Sequence, residues 1–124
     1  MADFLHDDVF DSGLSVLDTL VENLYICSTL PTTFTEAATT YKLGTKAAPT
    51  VSAPGDRTGG GRKVTISAIT DGTVSASGTA GFYALTDDSA SKLLAQGNLS
   101  ATQVVTSGNT FSLTTFDIGI PDPA

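Results

Sequence analysis

The chain has 124 residues, 40% of them apolar and 15% charged, with Ser and Thr making up about a quarter; this excludes charge-driven disorder and suits exposed β-surface. Thirteen acidic against six basic residues leave a net charge of −7, which repels a phosphate backbone and argues against nucleic acid as a partner. One Cys and one His exclude an internal disulfide and a Cys/His zinc site, so stability has to come from packing or assembly.

The N-terminal stretch Met1-Ala2-Asp3-Phe4-Leu5-His6-Asp7 has neither a basic segment nor a continuous apolar run, and no part of the chain approaches 18 apolar residues. Neither a signal peptide nor a membrane span is expected. Residues 1–7 read as an N-terminal arm, 8–120 as one β-rich domain and 121–124 as an exposed tail ending Pro121-Asp122-Pro123-Ala124.

Residues 8–22 place Phe10, Leu14, Leu17, Val21 and Leu24 at helical spacing, widened by Val9, Val16 and Leu20. Asp7 or Asp8 can cap this helix, Asp11 suits its first turn, and Asn23 is expected as a left-handed stop. From residue 24 the period changes from 3.6 to 2, and 24–28 is the first expected strand. Residues 29–61, with Pro31, Pro49, Pro54, Gly55 and three successive glycines, predict long loops and one extended piece at 41–46.

Residues 62–80 read as a hairpin turning at Asp71-Gly72, a type I′ signal that asks for positive φ at both positions. Strands are also expected at 82–86 and 93–97 across residues 87–91, and at 103–106 paired with 110–118 across Ser107-Gly108-Asn109. The fold class is therefore mainly β, an antiparallel β-sandwich or jelly-roll-like barrel of six or seven strands with one N-terminal α-helix.

Residues that could carry chemistry have simpler readings. His6 lies on the arm with no Gly-x-Ser-x-Gly elbow to serve, and Cys27 sits in the apolar run Leu24-Tyr25-Ile26-Cys27, as a buried small hydrophobe would. The stretch from Gly55 through Gly59-Gly60-Gly61 to Lys63 lacks the Gly-Lys-Ser/Thr of a phosphate loop and reads as a flexible loop. Asp7, Asp8 and Asp11, and likewise Asp87 and Asp88, lack calcium-loop spacing and read as helix caps and turn residues. Asn98-Leu99-Ser100 matches a glycosylation sequon without a secretory context. Phe82, Tyr83, Phe111 and Phe116 read as core more readily than as a sugar-stacking platform. No catalytic group, metal or cofactor is expected, and the chain reads as a non-enzymatic protein.

Several stretches, taken together, resemble small virion proteins of tailed bacteriophages. They are Phe4-Leu5-His6-Asp7-Asp8-Val9-Phe10-Asp11, Leu24-Tyr25-Ile26-Cys27-Ser28 with Pro31-Thr32-Thr33-Phe34, Gly61-Arg62-Lys63-Val64, Tyr83-Ala84-Leu85-Thr86-Asp87, and Val105-Thr106-Ser107-Gly108-Asn109-Thr110-Phe111. The resemblance spans nearly the whole chain and implies a structural virion protein, assembled in the host bacterial cytoplasm, of the head decoration or cement type. Such a protein stabilises the outer face of the head shell as an oligomer, with the major capsid protein and itself, as a homotrimer, for partners; a tail- or fibre-associated binding module is the alternative. Phe4, Leu5 and Phe10 are the expected partner-binding residues. Phe4 and Leu5 either grip a partner surface or staple the first turn of their own helix.

Overall fold

The structure, a computed structural model, describes residues 7–120, with the backbone alone for residues 7–12 and 16. Residues 1–6 of the expected arm, with Phe4 and Leu5, and the expected tail lie outside the described residues, as does the side chain of Phe10, while Asp7 belongs to the helix rather than the arm. Helix α1 spans Asp7–Leu20, where Leu14 and Leu17, three apart on one face, are buried. It packs on β4 (Arg62–Ile66) and β6 (Gly78–Asp87). Asn23 does not stop the helix in a left-handed conformation but opens strand β1, Asn23–Cys27, because its backbone is already paired with Ala47 on one side and Thr86 on the other. Among the described residues only Ala48 and Ser91 combine a side chain with positive φ.

The remaining strands are β2 (Lys42–Ala47), β3 (Gly55–Asp56), β5 (Ile69–Val74), β7 (Lys92–Val105), β8 (Thr110–Leu113) and β9 (Phe116–Ile120). Six of the nine form one antiparallel sheet in the order β7-β6-β1-β2-β5-β8, and three form a second in the order β3-β4-β9. The large sheet curls into a half-barrel, so the molecule is mainly β, as the alternation of residues implies. Its concave side, α1 and the small sheet share one core in which Leu24, Ile26, Val64, Ile66, Val74 and Leu85 are fully buried.

Strand β1 is buried on both faces. Leu24 and Ile26 point into the main core, while Tyr25 and Cys27 point the other way, onto Ala37 and Ala84. The cover on that side is a single π-helical turn, Glu36–Thr40, in the region expected to be irregular. It is fastened by the Glu36 carboxylate, which accepts from Thr32 N at 2.9 Å and Thr32 Oγ1 at 2.8 Å. Burial pushes the Cys27 thiol up to about 11, so it stays protonated and inert.

Two expectations are corrected. Asp71-Gly72 is not a hairpin turn: both lie inside β5, β4 and β5 belong to different sheets, and Gly72 has no positive φ. What demands glycine at 72 is the buried ring of Phe111, which a methyl group there would overlap. The turn at Ser107-Gly108-Asn109 does form, with Gly108 at φ 90°, but β7 and β8 do not pair across it. Gly108 N donates to Val74 O and Val74 N to Asn109 O, which ties the turn to β5 and steers β8 onto that strand. The glycine-rich stretch at 59–61 is the tight connection of the β3–β4 hairpin, its three glycines at φ between 90° and 103°, a region open to them for want of a Cβ.

At one end of the sheet a polar corner joins β1 to the β6–β7 connection. The Asp88 carboxylate accepts from Tyr25 Oη at 2.6 Å and Thr86 Oγ1 at 2.5 Å, and Glu22 accepts from Ser89 N at 2.6 Å and Ser89 Oγ at 2.8 Å. Burial disfavours the Asp88 charge, but hydrogen bonds from Thr86, Tyr25 and Asn23 and the nearby Lys42 outweigh it and hold the carboxyl below its ordinary range. Burial and the same Asp88 contact push the Tyr25 phenol well above its ordinary value.

Two outcomes follow. Gly72→Ala is expected to cost about 1 to 3 kcal/mol through overlap with Phe111, read from chemical denaturation, and relief of that loss by Phe111→Leu separates packing from backbone strain. Asp88 contributes stability that is present above about pH 4 and lost as pH falls through its depressed value; Tyr25 contributes stability intact below about pH 10 and lost above it. Melting temperature against pH should therefore fall at both extremes, and Tyr25→Phe should flatten the alkaline limb.

Candidate functional site

The curled sheet does not close. Its two edge strands, β7 and β8, face each other across a cleft of about 470 Å³. One wall is β7, where residues 99–102 bulge out opposite the single Gly81, between the pairs Asn98↔Phe82 and Gln103↔Ala80. Such a bulge turns a strand away from its neighbour and re-aims its side chains, here setting Leu99, Ser100 and Ala101 on the cleft. The other wall is the end of β8 and its link to β9, residues 112–116. That link is held by Thr115 Oγ1, which donates to Ile66 O at 2.8 Å.

The floor is apolar. Ile69 and Leu113 contribute aliphatic surface, and Tyr83 and Phe116 pack with ring centroids 4.6 Å apart and planes tilted by 44°. Gly97 keeps room for the Tyr83 ring, since a Cβ there would stand 2.9 Å from it. Across the mouth Gln103 Nε2 donates to Ser112 O at 2.6 Å and bridges the two walls. The rim is otherwise hydroxyl and amide, and none of the lining residues carries a charge. Residues 93–116 hold no acidic or basic side chain at all, although the protein has nineteen, and the cleft is lined without charge in an acidic molecule. Val104, 84% exposed, stands on the same edge.

The four aromatic residues singled out in the sequence part company in the fold. Tyr83 and Phe116 meet in the cleft, Phe111 is buried under Gly72, and Phe82 packs on the opposite side of the sheet beside Cys27 and Ala84. The sequon Asn98-Leu99-Ser100 lies on the cleft wall. Asp87 and Asp88 belong to the polar corner and its short 3₁₀ turn, Asp88–Ala90, where Asp87 accepts from Ala90 N. Sequence reasoning missed the cleft; its one local sign was the uncharged run at 93–116.

Among the described residues no three His, Cys, Asp or Glu side chains come together as a metal site, and no helix is long and apolar enough to cross a membrane. Comparison with protein-family models, curated proteins and solved structures finds no match to this chain.

Proposed function

We propose that the protein is a non-enzymatic structural subunit of a tailed-bacteriophage virion, a head decoration protein that binds the outer face of the shell as a homo-oligomer and stabilises it. The observation that carries this reading is the uncharged lining of an apolar cleft that lies open between two sheet edges of a molecule with net charge −7. Like-charged copies repel across most of their surfaces, so a face free of charge is where they can meet at least electrostatic cost. Unpaired sheet edges favour association, since their N–H and C=O groups bond readily to another chain.

The acidic balance supports the outer rather than the inner side of a shell, because packaged DNA repels a subunit of this charge. The sequence stretches resembling small phage virion proteins support the same place, with the major capsid protein as the partner. A tail or fibre position differs from this reading in copy number. Quantitative mass spectrometry of purified particles should find the protein at on the order of hundreds of copies, one set for each repeated site of the shell. A few tens or fewer would move it to the tail, and absence from particles would end the virion reading.

A further inference from the structure

The cleft between β7 and β8 combines an apolar floor, a rim of hydroxyl and amide groups, and a lining without charge. We infer that it is a binding site for an uncharged, mostly apolar ring compound, an aromatic or alicyclic molecule with one or two hydrogen-bonding groups. The inference goes beyond the assembly reading and does not rest on it, since such a molecule sits on the floor, between the strand edges at which copies would meet.

Size and covering select a compact ligand. The space of about 470 Å³ lies within the range of roughly 300 to 1,000 Å³ that small-molecule sites occupy. An added β-strand fits it poorly, because Gln103 Nε2 reaches from β7 to the Ser112 carbonyl on β8 at 2.6 Å. That bond takes an acceptor that β8 would offer to such a strand, and it crosses the gap along which the strand would run.

Charge and hydrogen bonding select the chemistry. An ionised ligand would lose water on entering the cleft without meeting an opposite charge, a cost that no lining residue offsets. A neutral ring gains the burial of its own apolar surface against Ile69, Leu113 and the Tyr83–Phe116 pair. Among the described residues the side chains of Tyr83, Asn98, Ser100 and Thr114 form no hydrogen bond, so they are open to one or two polar groups of the ligand. Burial pushes the Tyr83 phenol above its ordinary value and keeps it a neutral donor. A sugar, whose many hydroxyls each need a partner, is served less well by a floor of hydrocarbon.

The test titrates the full chain with N-phenyl-1-naphthylamine, a neutral aromatic compound whose fluorescence rises in apolar surroundings. Its counterpart 1-anilinonaphthalene-8-sulfonate adds one sulfonate to the same skeleton and isolates the effect of charge. At high salt, where the net charge of −7 is screened, the chain should bind one neutral probe, and the sulfonate at least about tenfold more weakly. Ala101→Phe and Thr114→Phe, at exposed positions on opposite walls, each place a ring in the cleft. Either should weaken the neutral probe about tenfold or more in a chain whose circular dichroism is unchanged. Val104→Ser, outside the lining, should leave binding as it was, which separates the cleft from the bare apolar edge. The inference is overturned if the wild-type chain does not bind the neutral probe, if the sulfonate binds as tightly, or if both wall variants bind like the wild type. Displacement of the probe by methyl glucoside overturns it in favour of a sugar site. Tightening by about tenfold in Phe4→Ser overturns it by making the N-terminal arm the occupant. Each of these results leaves the assembly reading to its own test by copy number.

Discussion

The fold turns on the double burial of β1. Leu24 and Ile26 must meet a core on one side while Tyr25 and Cys27 must meet one on the other, so this five-residue strand cannot lie at an edge or against solvent. Both neighbours, β2 and β6, pair with it along nearly its full length, and each extends the sheet outward in turn. The π-helical turn exists to cover the second face, and α1 with the small sheet covers the first. With so much apolar surface gathered at the middle of the sheet, its two margins are left to β7 and β8, and the cleft is what remains when six strands curl without meeting.

Charge is distributed to match. Lys46 pairs with Asp71 at 3.1 Å across the β2–β5 surface, Lys63 with Asp117 at 3.0 Å and Arg62 with Asp56 at 2.5 Å on the small sheet. Exposed pairs of this kind are each worth about 0.2 to 1 kcal/mol and do not decide stability. None of these six side chains belongs to the lining of the half-barrel's open side, which is hydroxyl, amide and hydrocarbon. A net charge of −7 sets copies of the molecule against one another, and the uncharged cleft lining is where contact costs least.

Much of the architecture was legible in the residues because the signals were local. The spacing of Leu14 and Leu17 marked the helix, the apolar run from 24 marked the first strand, and Asp87 through Ser91 marked the connection between β6 and β7. The misreadings are of long-range facts. Asp71-Gly72 has the letters of a turn, but Gly72 answers to Phe111, thirty-nine positions later, through a ring that needs its space. The turn at 107–109 was legible and its strand partners were not, because Val74 holds it by two backbone bonds. The cleft draws on four separate stretches, around residues 69, 83, 100 and 114, which no periodicity links.

The order of strands also sets a timetable. Thr86 closes on Asn23 across a separation of 63 residues, so β1, made early, finds its second neighbour only after β6 has been synthesised. At about 5 to 20 residues per second that interval is about 3 to 12 seconds. Through it, Tyr25 and Cys27 have β2 and the π-helical turn for shelter, but Leu24 and Ile26 lack most of their core. The short hairpin of β1 and β2 with its turn thus leaves the ribosome before the strand that completes it, carrying Lys42, Lys46 and the threonines around them as its polar side chains.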